Sequence, residues 1–378
     1  MLSVLSLVAI HLEAQSGGYL QLGTIQDSAN RYPCPMNAGW FQDAQGDMTC
    51  VDSIVLNCGA NNGNNTQNLA FTYGYRKPKV TQVGTIAFFS GGPGTSPADT
   101  PEEMSFAQDY LSAGYEIVQV KWSSDWEDTG SGSGTNVQYA ACRPATFLKY
   151  VHDVTTLHPT GGMCAQGASA GAGAIGYALA WYGSYQWLDK VELLSGPVFS
   201  DIRAGCEEDG PDVPPTPVDI CGSSDPHCVL GNGETDWSVS PSYISIYASS
   251  VRGWTGDPTC AIPGTTTSPT SNQNWLNQSI VNGTNNAIFN YQNTSIGGWM
   301  CRSFQGNIGP NNSAPESELF HRQASSGRQY FVYPVEACPN QENVAGSGSY
   351  VPALGGKSGY NAILADMTTG SGRCQLFH

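Results

Sequence analysis

Apolar and polar positions alternate over residues 69–75, the period of a strand with one face buried and the other in water. Residues 85–89 form a short apolar run, and 115–122, 191–194, 298–304 and 328–335 are further segments of strand length. Between them the spacing changes to three and four. Residues 101–113, 139–152 and 313–324 read as helices, and so does 360–367. After residue 169, Ala172, Ile175, Ala178, Leu179 and Trp181 recur at helical intervals to about Tyr182. Strands alternating with helices in this way predict an α/β fold: a mostly parallel central sheet with helices on both faces.

Other stretches lack either period. Residues 15–58 are irregular and hold three cysteines, with turn signals around Pro33 to Pro35 and Asn57 to Gly59 and a short strand at 53–56. Residues 59–68 and 125–135 are polar loops. Residues 201–291 are rich in Pro, Gly, Ser and Thr and hold Cys206, Cys221, Cys228 and Cys260. Ninety structureless residues inside a domain would be implausible, so this segment reads as a disulfide-braced insertion capping the sheet. The chain therefore divides into a short leader-like segment (1–14), an N-terminal arm with the first strands (15–82), an α/β core (83–199), a cap or lid (200–297) and the rest of the core (298–378). No period repeats along it, which excludes a solenoid.

Composition narrows the function. Of 378 residues 40% are hydrophobic and only 12% charged, with a net charge of −16, which argues against nucleic acid or an anionic membrane as partner. Twelve cysteines without a C-x-x-C pair point to disulfides in an oxidising compartment, extracellular or periplasmic, although spacing does not give the pairing. Cys164 is read two ways, as a disulfide partner or as a free core thiol. Residues 1–10 are apolar and Ala14 suits a cleavage site, but the basic start of a secretory signal is missing. No stretch approaches the roughly eighteen apolar residues of a membrane span. Glycosylation sequons stand at Asn64, Asn277, Asn282, Asn293 and Asn311. Nothing suggests a metal, redox or nucleotide cofactor.

The candidate chemistry lies at 163–174, where Gly167, Ser169 and Gly171 fit G-x-S-x-G between an apolar strand and a helix. Such a serine sits at the apex of a sharp turn, and flanking glycines let strand and helix approach. The competing reading is a small-residue turn. An apolar strand running into Gly91, Gly92, Pro93 and Gly94, this elbow, and an inserted cap together resemble an α/β-hydrolase, over 83–195 by motif and over 298–369 by element order. The resemblance implies a serine ester hydrolase in which Ser169 is the nucleophile. The backbone N–H of Ala170 and that of Gly91 or Gly92 would bind the oxyanion. For Gly91 to Gly94 an ordinary turn is the alternative.

The family's acid and histidine positions are not matched. The loop after residue 304 carries asparagines, and residues 336–357 hold Glu342 but no histidine. Of six histidines, His11 lies in the leader-like segment. His152, His158, His321 and His378 fall on or after helices that carry them away from the active edge. His227, between Cys221 and Cys228 in the cap, remains as candidate base, against a solvated loop histidine. Asp201 is the candidate acid, against a helix cap, with Glu342 competing. Trp122 and Trp126 read as pocket lining or as core. The expected substrate is a small or polymeric ester. The second hypothesis is a degenerate hydrolase fold that binds or supports. A glycosidase is a third, disfavoured because Glu207 and Glu208 are adjacent and cannot face one another.

Overall fold

All six residues of Gly84–Phe89 are buried, and a strand buried on both faces needs cover from two layers. The computed structural model describes residues 19–26, 30–36, 38–43, 46–59, 69–92, 94–99, 101–127, 137–154, 157, 160–168, 170–194, 228–230, 291, 294–301, 329–335, 359–370 and 373–376. The strands are β1 (Thr24–Gln26), β2 (Arg31–Pro33), β3 (Gln42–Asp43), β4 (Gly46–Asp47), β5 (Thr49–Asn57), β6 (Leu69–Arg76) and β7 (Gly84–Phe89). They continue with β8 (Tyr115–Trp122), β9 (Gly162–Ala168), β10 (Lys190–Leu194), β11 (Cys228–Leu230), β12 (Ser295–Cys301) and β13 (Gln329–Val335). The helices are α1 (Pro101–Ser112), α2 (Val137–Ala140), α3 (Cys142–Asp153), α4 (Ala170–Tyr182) and α5 (Gly359–Thr368).

One sheet runs in the order β1-β5-β6-β8-β7-β9-β10-β12-β13-β11, with β2 also pairing on β5. The β1–β5, β5–β6 and β6–β8 pairings are antiparallel, and from β8 onward every pairing is parallel. The sheet thus draws on segments from the arm, both parts of the core and the stretch 200–297. On one face α3 and α4 close over Phe71, Trp122, Phe147, Ile175, Leu179 and Val191. On the other, α1 and α5 cover Ile86, Phe88, Phe106, Tyr110, Ile117 and Met367. Helix α4 is apolar around nearly its whole circumference, which suits a helix wedged between the sheet and α3.

Several expectations are refined. Strand β5 is nine residues long, where the pattern predicts only 53–56. A register shift between Val51 and Ile54 breaks the alternation that would have revealed it. The helix expected over 139–152 is two, α2 and α3, parted at Ala141. Strand β12 begins at Ser295, ahead of the expected start at 298. Within the segment read as a cap, residues 228–230 add an edge strand beside β13. The helix expected over 313–324 lies outside the described residues.

Covalent and ionic ties hold the layers together. Disulfides join Cys34 to Cys50, Cys58 to Cys142, and Cys164 to Cys374, so Cys164 is not a free thiol. The last bridge fastens the C-terminal tail across β9, where Tyr115 donates to the Cys374 carbonyl at 3.1 Å. Lys190 is fully buried, yet its Nζ donates to Asp366 Oδ2 at 2.6 Å and stands 3.3 Å from Glu192 Oε1. Burial works to lower the Lys190 pKa, but the two carboxylates outweigh it and raise it. An unpaired charge there would be far costlier than the pair, so α5 is fixed to β10 by this contact.

Candidate active site

Strand β9 ends at Ala168 and α4 begins at Ala170, leaving a single residue between them. That residue is Ser169, which itself lies outside the described residues. The reversal depends on its flanking glycines. A Cβ on Gly167 would stand 2.4 Å from the Gly171 oxygen, and one on Gly171 would stand 2.4 Å from the Phe89 oxygen and 2.8 Å from that of Ser90. No larger residue fits either position without moving backbone. The first turn of α4 is thereby seated on the end of β7. Ala170 is buried, and as first residue of α4 its N–H has no partner within the helix. The positive end of the helix dipole falls at the same point.

The segment after β7 is the second component. Ser90 Oγ donates to the Ser96 carbonyl at 2.7 Å and so pins the loop. Gly92 has φ +59° and Gly94 φ +69°, both in the left-handed region where a side chain strains the backbone. Their surroundings differ. A Cβ on Gly94 would stand 2.6 Å from Trp122 Cδ1, and the Trp122 N–H donates to the Gly94 carbonyl at 2.9 Å. Gly92 is exposed, and a Cβ there would meet nothing within 4 Å among the described residues. One glycine locks the loop to the core while the other borders open space, where a ligand atom can approach the backbone. Trp122 and Trp126 are each 1% exposed and pack with Phe71 and Phe147, so they brace the loop from behind as core rather than line a pocket.

Sequence reasoning passed over Glu127, which follows β8 on this edge and is 2% exposed. Burial, and then the nearby charge of Asp125, raise its pKa well above the usual carboxylate range. Its signal was a carboxylate directly after a buried Trp on the turn leaving a strand's C-terminal end.

The candidate acid and base are not brought together with these parts among the described residues. Asp201, Glu342 and His227 lie outside them. Cys228, the residue after His227, begins β11. It shares a row with Phe331, Gly298, Leu193 and Gly167, four strands from the elbow strand. At about 4.8 Å per strand that is roughly 19 Å across the sheet. His152 is the one histidine described. It sits in the last turn of α3, which leads to the start of β9 and hence to the edge opposite the elbow, and its Nδ1 is 2.8 Å from Asp153 Oδ1. Among the described residues no three His, Cys, Asp or Glu side chains group as metal ligands would. No helix there is long and apolar enough to cross a membrane.

No protein-family model and no curated protein matches the sequence. Solved structures match it at low identity. A brefeldin A esterase, a bacterial homologue of human hormone sensitive lipase, aligns at TM-score 0.43 and 13% identity over 71% of this chain and 66% of its own. Acetyl xylan esterase 1 from a Thermoanaerobacterium species aligns at 0.44 and 12% over 90% of this chain and 87% of its own. A fungal esterase from Rhizomucor miehei gives 0.42 and 12% over 78% and 80%. The described residues form a mixed, mostly parallel sheet between two helical layers, with a strand and a helix separated by a single residue.

Proposed function

We propose that the chain is a hydrolase of carboxylic esters working through a covalent acyl-enzyme on Ser169. The seat of Gly171 on Phe89 and Ser90 carries this reading, because it sets the start of α4 beside the glycine loop. The serine oxygen attacks the ester carbonyl. The N–H of Ala170, joined by that of Gly91 or Gly92, receives the oxyanion, and the alcohol leaves as the acyl group transfers to Ser169. Water then cleaves the acyl-serine and regenerates the hydroxyl. A base must take the serine proton, with Asp201 and His227 as the candidate acid and base. The position of Cys228 on an edge strand weighs against His227. The disulfides support secretion to an oxidising compartment. Hydrolysis of a short p-nitrophenyl ester by the oxidised protein, abolished in Ser169→Ala, is the expected result. Equal rates in both would refute the assignment.

The second reading is a hydrolase fold that has lost turnover and binds or supports instead. The lack of a histidine in residues 336–357, after the last strand, is the observation that favours it. Under that reading the unaltered protein hydrolyses no ester faster than Ser169→Ala does.

A further inference from the structure

An acid that the proposed chemistry does not use sits beside the glycine loop. Among the described residues the Oε1 of Glu127 meets no hydrogen-bond partner, although the residue is almost fully buried. Its turn is rigidly held. The Glu127 N–H donates to Asp125 Oδ1 at 2.9 Å, and Arg143 of α3 donates from Nη1 to the carbonyls of Trp126 at 2.8 Å and Asp125 at 3.3 Å. Trp126, its neighbour in the chain, comes within 3.4 Å of where a Cβ on Gly94 would stand. The turn that carries Glu127 is therefore packed, through Trp126, against the loop that presents Gly91 and Gly92.

The register places the strand end that leads into this turn near the end of the elbow strand. Gln119 of β8, Phe88 of β7 and Gln166 of β9 share one row, so β8 and β9 end at Trp122 and Ala168 within a residue of the same level. Two strand spacings separate those ends, about 10 Å, a span that an ester of modest size covers. Burial favours the protonated form of this carboxyl, and a protonated carboxyl is a directional O–H donor. A buried oxygen without a partner works against folding, and an apolar residue would fill the space without that cost. Retaining the acid is the pattern of a functional group held at the expense of stability.

We propose that Glu127 is a specificity-determining residue whose carboxyl donates a hydrogen bond to a neutral oxygen of the bound ester, an ether, hydroxyl or second carbonyl a few atoms from the scissile bond. The assignment rests on the ester-hydrolase reading above. It makes oxygen-bearing esters, rather than plain hydrocarbon ones, the preferred substrate class.

The test uses two matched pairs in which one CH2 becomes oxygen. They are p-nitrophenyl methoxyacetate against p-nitrophenyl butyrate, and 2-methoxyethyl butyrate against butyl butyrate. The kcat/KM ratio within each pair is measured for the unaltered protein, Glu127→Gln and Glu127→Met. Comparing ratios between proteins cancels the intrinsic reactivity of the ether esters. In at least one pair the oxygen preference falls about tenfold in Glu127→Met, the order expected for one hydrogen bond, and stays within about threefold in Glu127→Gln, which keeps a donor. Should Glu127→Met not fold, Glu127→Asp, which draws the donor back by one methylene, replaces it with the same expectation. Unchanged ratios in both pairs overturn the proposal while leaving the hydrolase intact. Hydrolysis of none of the four esters by the unaltered protein overturns the hydrolase reading and this proposal with it.

Discussion

A Cβ on Gly171 would stand 2.4 Å from the backbone oxygen of Phe89, so the elbow helix and the strand that leads to the glycine loop touch through bare backbone. The contact cannot absorb a methyl group, because both sides are main chain. Gly171→Ala is expected to cost about 1–3 kcal/mol, read as a lower urea midpoint at unchanged slope. Ester hydrolysis falls with it by more than the folded fraction explains. A variant as stable and as active as the parent would mean that the helix moves freely on β7.

Gly92 gives the complementary case. It has room for a methyl group but a left-handed backbone, so Gly92→Ala is expected to cost only about 1–2 kcal/mol. If its N–H is an oxyanion donor, the small shift in its direction lowers kcat by roughly tenfold or more, with little change in KM. A proportional loss of stability and activity would make Gly92 an ordinary turn residue.

Glu116 predicts the pH dependence of stability. It is fully buried on β8, and burial lifts its pKa to about 8, against the smaller opposing effects of Lys77 and of the Gln82 amide that donates to Oε2 at 3.1 Å. The folded state therefore keeps a proton that the unfolded chain releases near 4.5. Stability from this group is fully present below that value and is lost as pH rises to about 8, at up to about 1.4 kcal/mol per unit. Glu116→Gln should flatten the fall. The gap between its melting temperature and the parent's is expected to widen, in favour of the variant, from pH 4.5 to pH 9. A constant gap would mean that Glu116 ionises normally in the folded protein.

The Cys164–Cys374 bridge closes a separation of 210 residues. Chain entropy alone puts its contribution at about 5 kcal/mol, and removing native bridges more commonly costs about 2–5. The double replacement Cys164→Ala with Cys374→Ala should lower the denaturation midpoint accordingly, and reductant should then shift it less than it shifts the parent. An unchanged midpoint would show that hydrogen bonding and packing of the tail suffice without the covalent link.

Much of the architecture was legible because it follows from periodicity. The strand predicted over 115–122 is Tyr115–Trp122 to the residue, and the elbow was visible because only glycines tolerate the contacts that Gly167 and Gly171 make. What was not legible depends on distant partners. Lys190 looked like the residue before a strand, and only Asp366, far along the chain, explains how it is buried inside one. The pairing of Cys164 with Cys374 has no local signature at all. Glu127 read as part of a polar turn, since nothing in its neighbours announces that the turn, held by Arg143, is buried. The proposed nucleophile and oxyanion loop are local motifs, whereas a base would be delivered by loop geometry that spacing does not encode.

The central claim is that Ser169 is an activated nucleophile. Incubating the oxidised protein with a fluorophosphonate and mapping the adduct by peptide mass spectrometry tests it most directly. A single phosphonyl group on the peptide containing Ser169, absent from Ser169→Ala and formed in step with loss of ester hydrolysis, is the predicted result. Folded, fully oxidised protein that takes up no label, or takes it up equally in Ser169→Ala, would contradict it.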